Sequence, residues 1–372
     1  MELNQLQQQL SSQNPVYPQL SLYPVASPLF TIQTNRQLAL KLKMKFANRL
    51  TYVGMNKLNH YSTLSIRKRG AAGKYRTLYN PDQPMRLIQF KILKEILEQV
   101  QVPDYLYAFE KGRSIPAMAQ KHVGKKVIVS VDLKDYFQSI KQYHLNQVFK
   151  HLGFGEKPAR LLSELCTYKS FVPQGALTSP KLSNIITTYT FGPLIREYCE
   201  ERGYTLTIYA DDITISSDNL IDNMGGDTVH SLISYLKETV GRFGFRVNSE
   251  KTKVMKYYQR QYVCGAVVNS KVNLQKSERN TLRAIIHNCE INGIEAEASK
   301  TQITENEFIS AMNGRLNWFN QLNPQAGSHF INQFKEIYGR STANVRNSQD
   351  VRVEELVSQG VNNVEVQQAQ TA

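Results

Sequence analysis

The chain has 372 residues, 41% hydrophobic and 20% charged, the composition of a globular protein with two or three subdomains and a sizeable core. No run approaches the roughly 18 uncharged apolar residues of a membrane span, and the N-terminus lacks a basic-then-apolar secretory signal; the four scattered cysteines fit a reducing cytoplasm. The formal net charge is +14; with −1 on residues 1–35 and −2 on 341–372, residues 36–340 carry +17, which points to a polyanionic partner.

Residues 1–35 read as an extended arm, because Pro15, Pro18, Pro24 and Pro28 block regular elements. Its Tyr17, Leu20, Leu22, Tyr23, Leu29 and Phe30 are candidates to dock on the body. Residues 36–60 are basic and helix-permissive. A short strand is expected over 75–79, a turn at Pro81–Pro84 and a helix over 85–100, where Leu87, Ile88, Ile92, Leu93, Ile96 and Leu97 have helical spacing. The run 127-VIVSVDL-133 reads as a strand buried on both faces. Helices are predicted over 142–151 and 158–168, then a loop at 171-FVPQGALTSP-180 and a helix to about Glu201, kinked at Gly192-Pro193. A hairpin over 206–217, a helix over 228–243 and strands near 245–248, 253–257 and 261–268 precede an α-rich region, 277–338. The fold class is therefore α+β, a small antiparallel sheet backed by helices with a separate helical unit. Cys166, Cys199, Cys264 and Cys289 show no CxxC spacing, so neither a zinc cage nor a disulfide framework is suggested.

The hairpin 206-LTIYADDITISS-217 holds the chemistry. Strands are depleted in Asp, and alone the Asp211-Asp212 pair reads as a surface turn, where Asp is favoured. Asp132 changes the odds, because it ends a strand that otherwise buries without charge. Three carboxylates from two neighbouring strands repel unless divalent cations neutralise them, and hard oxygen ligands suit Mg²⁺. Two such ions would activate an attacking hydroxyl and stabilise a leaving pyrophosphate.

The ordered blocks 74-KYRTLYNPDQPMRLIQFKIL-93, 109-FEKGRSI-115, 131-VDLKDYF-137, 172-VPQGALTSPKLSN-184, 209-YADD-212, 244-GFRVNSEKT-252, 261-QYVCGAVVN-269 and 313-NGRLNWFNQLNP-324 resemble the motif series of reverse transcriptases, and most of all the bacterial retron enzymes. The resemblance spans roughly 45–335 and implies a right-hand polymerase: fingers over 36–126, palm over 127–260, a primer-grip region over 261–276, an α-helical thumb over 277–338 and a tail from 339. It implies Asp132, Asp211 and Asp212 as metal ligands and catalytic residues. Lys74, Arg76, Asp135, Phe137, Gln174, Gly175 and Lys251 would bind the dNTP: the two cations grip triphosphate, the Phe137 ring gates against a 2′-hydroxyl, Gly175 lets backbone approach the base pair, and Lys251 donates a proton to pyrophosphate. A core aromatic and a solvated lysine are the plainer readings of Phe137 and Lys251. Trp318 and Phe319 read as thumb core rather than base-stacking rings.

The retron enzymes' Asn-Ala-x-x-His element is matched at Ala119 and His122, with Met118 replacing Asn, and their Val-Thr-Gly by Val263-Cys264-Gly265. By resemblance His122, Tyr262, Val263, Cys264 and Gly265 would contact primer or RNA. The chain would bind a cognate structured non-coding RNA, prime from the 2′-hydroxyl of a guanosine in it and make a branched RNA–DNA product, in anti-phage defence with a separate effector protein. Two rival readings stand beside this one: another bacterial defence-associated or group II intron-like reverse transcriptase, and a non-polymerising RNA scaffold.

Overall fold

The computed structural model describes residues 28–67, 73, 75–219 and 228–339. Most of the expected arm, nearly all of the expected tail and Lys74 lie outside these residues, as do Tyr17, Leu20, Leu22 and Tyr23. The chain divides after Cys264 into two bodies.

In the first body, Phe30 is buried and its ring lies 4.9 Å from that of Phe154, whereas Leu29 is exposed. Gly153 (φ +101°) packs so closely under the Phe30 carbonyl that a Cβ has no room. Helices α1 (Asn35–Lys41) and α2 (Ala47–Met55) fill the basic segment, α1 starting at a capping box of Thr34 and Gln37. A 3₁₀ turn then leads into an antiparallel hairpin of β1 (Tyr61–Arg67) and β2 (Tyr75–Pro81). Helix α3 (Gln83–Glu95) starts where the Asp82 carboxylate accepts from the Met85 N–H at 3.0 Å, with Pro84 in the first turn. It ends earlier than the expected 100, continuing only as a 3₁₀ turn at Leu97–Gln99.

Next come α4 (Ile115–Gln120), β3 (Val127–Lys134), α5 (Tyr136–Ser139), α6 (Gln142–His151), α7 (Glu156–Leu165), α8 (Ser179–Tyr189) and α9 (Phe191–Glu201). The expected kink at Gly192-Pro193 is instead a full break two residues earlier. Thr190 leaves the helical region (φ −123°, ψ −111°), and Pro193 sits in the first turn of α9, where its missing N–H costs nothing. Then β4 (Thr205–Tyr209), β5 (Asp212–Ser217), α10 (Val229–Gly241), β6 (Arg246–Val247), β7 (Lys253–Lys256) and β8 (Tyr262–Val263) finish this body.

The sheet runs β4–β5–β3, all antiparallel. The far edge of β3 is shared: β7 pairs with Val127–Ser130 and β6 with Leu133–Lys134. Asp132 therefore sits where β3 passes from one short partner to the next. Val127, Val129, Val131 and Leu133 are buried on β3 beside Ile213 and Ile215 of β5, and α8 and α9 add Leu182, Ile185, Phe191 and Ile195 to one continuous core. The apolar run of a central strand, Ile128 included, supplies this burial on both faces, each fully buried side chain contributing about 1.5–3 kcal/mol.

The second body holds β9 (Ala266–Val267), α11 (Lys276–Asn292), α12 (Ile294–Lys300), α13 (Glu305–Leu322) and a helical run over 324–339. Thr304 and Glu307 form a capping box at the start of α13. Leu282, Ile286, Met312, Leu316, Phe319 and Phe334 are buried there. Phe319 is thus core, as its spacing suggested, whereas Trp318, expected in the same core, is only half-buried. Among the described residues no helix is long and apolar enough to cross a membrane.

Candidate active site

Three carboxylates meet at one end of the sheet. Asp132 of β3 and Asp212 of β5 are directly opposed in antiparallel register, and Asp211 occupies the two-residue turn that joins β4 to β5. That turn is tight without glycine: Ala210 is left-handed (φ +54°), which costs a non-glycine residue roughly 1 kcal/mol or more. The Leu133 N–H donates to the Asp211 carbonyl at 2.8 Å and fixes the turn on β3. Register and strain together hold the acidic side chains at one edge.

Each carboxylate has a distinct environment. Asp132 accepts from Lys251 Nζ at 3.0 and 3.1 Å and from Asn248 Nδ2 at 3.3 Å. Both donors lie on the 248–252 turn between β6 and β7, and the Asn248 N–H anchors that turn on the Asp132 carbonyl at 2.8 Å. Asp212 accepts from Ser130 Oγ at 3.0 Å, with Cys264 Sγ at 3.7 Å. Burial pushes the Asp211 and Asp212 carboxyls above the usual carboxylate range, and the neighbouring Asp132 charge adds to the shift in both. Cys264 is raised by burial and then by the Asp212 charge, so its thiol stays protonated and donates. Ser130 and Asn248 did not stand out in the sequence, although Asn248 lies three residues before Lys251 in a block that did.

These oxygens fit a hard divalent cation by donor chemistry, since two of the three carboxylates are disfavoured as anions where they stand. As placed, Asp132 faces Lys251 and Asp212 faces Ser130. Among the described residues no three acidic, histidine or cysteine side chains are close enough to enclose a cation without side-chain rotation.

Around this edge, Phe137 is half-buried, its ring 6.4 Å from Phe109, which lies 6.4 Å from Tyr209. Asp135 is exposed and left-handed (φ +49°), heading α5. The Gln174 carbonyl accepts from the Tyr79 N–H at 2.8 Å, and Gly175 (φ +117°) faces the same strand so closely that a Cβ would lie 2.8 Å from the Tyr79 oxygen. The 174–175 loop and β2, with exposed Arg76, thus form one connected lip. Tyr262 is half-buried, its ring under Lys253 Nζ at 4.7 Å, and Val263 is buried. Cys264 (φ +44°) and Gly265 (φ +85°) are consecutive left-handed residues.

The model of the reverse transcriptase (RNA-dependent DNA polymerase) family matches residues 66–311. Retron Ec86 reverse transcriptase of Escherichia coli is 31% identical over 228 residues, 61% of this chain and 69% of the relative. The chain belongs to the retron-type reverse transcriptases. Retron Mx65 reverse transcriptase of Myxococcus xanthus is 31% identical over 301 residues, covering 75% of this chain and 65% of that relative. Retron Mx162 reverse transcriptase of the same organism is 28% identical over 312 residues, covering 76% and 62%. The matched regions thus span about two thirds of these relatives. Such an enzyme is an RNA-directed DNA polymerase, and the α+β fold, small antiparallel sheets among helices, is that of the reverse transcriptase domain.

One expectation for this retron-type enzyme is corrected. His122 does not present its ring to RNA: it is fully buried, with Nδ1 2.7 Å from Ser216 Oγ and Nε2 2.7 Å from Thr207 Oγ1. Both ring nitrogens are used in tying the end of α4 to β4 and β5. Met118 is buried too. Val263 likewise offers no side chain to a partner. Sequence spacing marks such residues but cannot tell which way they face.

Proposed function

We propose that this reverse transcriptase makes DNA at the Asp132–Asp211–Asp212 edge, on a cognate structured non-coding RNA, priming from a guanosine 2′-hydroxyl to give a branched RNA–DNA product. The observation that carries the reading is the convergence of three carboxylates, two of them with raised proton affinity, at one strand-paired edge. Asp132, Asp211 and Asp212 would hold Mg²⁺, two ions in the proposed arrangement. When bound, Mg²⁺ supplies Lewis-acid activation of the attacking hydroxyl and neutralises charge on the leaving pyrophosphate.

The chain's own residues do the rest. Lys251, exposed beside Asp132, keeps a cation at the rim and gives the pyrophosphate a proton. Arg76, with Lys74 from the adjoining segment, draws in the triphosphate. Gln174 and Gly175 border the nascent pair, where the missing side chain leaves room for a base. Asp135 lies at the head of α5 beside the sugar, and the Phe137 ring, backed by Phe109, fills the volume of a 2′-hydroxyl. Tyr262, Cys264 and Gly265 hold the primer end, while His122 and Val263 act through packing. The basic surplus supports RNA binding through phosphates, loops and 2′-hydroxyls. A cytoplasmic setting and a role in anti-phage defence beside a separate effector complete the proposal.

Purification of the full chain and sequencing of its nucleic acid, with a test for a 2′–5′ branch, decides the RNA and priming parts. A small structured RNA joined to DNA is expected. A nucleic-acid-free protein insensitive to salt would defeat this reading.

A further inference from the structure

We propose a second nucleic-acid contact at the opposite end of β3, a rigid aromatic platform that stacks unpaired RNA bases. It rests on the reading of the chain as an RNA-bound polymerase. Tyr257 and Tyr258 follow β7 and are among the most exposed large side chains of this body, at 52% and 67%. Their rings stand edge to face, 5.2 Å apart at 81°. Lys126 Nζ lies over the Tyr257 ring at 4.9 Å, and Lys256 and Arg260 flank the pair in sequence. Lys125 is paired with Asp218 at 2.7 Å.

The platform is held at both ends. The Tyr257 N–H donates to the Lys126 carbonyl at 2.8 Å. Gln261, itself buried, donates through Nε2 to the carbonyls of Lys125 and Met255 at 2.9 and 3.1 Å. Gln259 closes the turn, exchanging hydrogen bonds with the Lys256 backbone. Exposing two tyrosines on a fixed turn forgoes burial that a loop of this kind could obtain by folding over. Rings on a fixed support lose little freedom on binding, and a base can stack on them while Lys126 and Lys256 neutralise phosphates. Paired bases present no free face, so unpaired nucleotides are selected. RNA is the strand that the family's activity requires, and RNA is recognised chiefly through its unpaired bases. Lys126, which the Tyr257 N–H reaches, lies six residues before Asp132, about 20 Å along the strand from the carboxylates, so the platform engages RNA outside the reacting pair.

The test is binding of fluorescein-labelled single-stranded RNA, single-stranded DNA and duplex RNA to the full chain. Tyr257→Ala/Tyr258→Ala should weaken single-stranded RNA binding about tenfold or more, Tyr257→Phe/Tyr258→Phe should retain it, and duplex binding should not change. A photo-crosslinking phenylalanine at position 258 should label the RNA strand, a result independent of any loss of folding. Asp211→Asn/Asp212→Asn protein should bind as wild type does and respond equally to loss of the tyrosines, which separates failure of the platform from failure of the polymerase assignment. Unchanged single-stranded RNA affinity in the Ala variant, or a loss confined to DNA, would overturn the proposal.

Discussion

The hairpin of β4 and β5 carries two polar clusters built in opposite ways. At its turn, Asp211 and Asp212 face Asp132, and the charges work against one another and against burial. Further along, His122 bridges Thr207 and Ser216 with both ring nitrogens used. A satisfied buried network rigidifies a fold, whereas like charges held together persist only when the surrounding structure enforces them. On that contrast His122 braces the fold, and the carboxylates are the group we propose for the chemistry.

The largest expected effect breaks the acidic cluster. Asp211→Asn/Asp212→Asn should abolish DNA synthesis, by roughly a thousandfold or more, while raising Tm because the repulsion is gone. Primer-extension assays and calorimetry check both, and retained synthesis would remove the metal-site assignment.

His122→Ala should do the reverse, costing roughly 3–5 kcal/mol of stability through a cavity and two stranded hydroxyls. Urea denaturation measures this, and RNA affinity of the folded variant should stay near wild type.

Next in size is the selectivity at Phe137. Phe137→Ala should improve rNTP incorporation about tenfold or more relative to dNTP, by opening the volume that excludes a 2′-hydroxyl. Single-nucleotide incorporation rates provide the check.

The smallest effect concerns pH. Burial holds the His122 pKa down at about 3 against an ordinary 6.5, so the unfolded chain binds the proton first. This contribution is fully present above about pH 6.5 and is lost as pH falls toward 3. Asp211 and Asp212 have raised values, so theirs is present at low pH and lost as pH rises through the folded values. Between pH 7 and 5, the Tm of wild type should drop relative to that of a His122→Leu variant, in which the histidine contribution is absent and the carboxylate one is kept.

Much of this was legible in one dimension. An apolar run placed β3 and alternation placed the β4–β5 hairpin, and the positions of Asp132 at the end of the one and Asp211-Asp212 at the turn of the other pointed to the acidic edge. β1 was missed, since its Ser- and Thr-rich run lies mostly exposed and gives no burial pattern. The α8–α9 break was misplaced because a single non-helical residue at Thr190 carries no signal as clear as Gly-Pro.

By itself the sequence determined the residue types, the hairpin, the family motifs and the basic surplus, all properties of local order and composition. Only the tertiary structure decided direction and company: that His122 turns inward to two hydroxyls, that Asn248 and Ser130 reach the carboxylates, and that Tyr257 and Tyr258 face outward on a fixed turn. Those outcomes depend on contacts between residues far apart in the chain, such as the 116 positions separating Asp132 from Asn248, and spacing along one segment does not encode them.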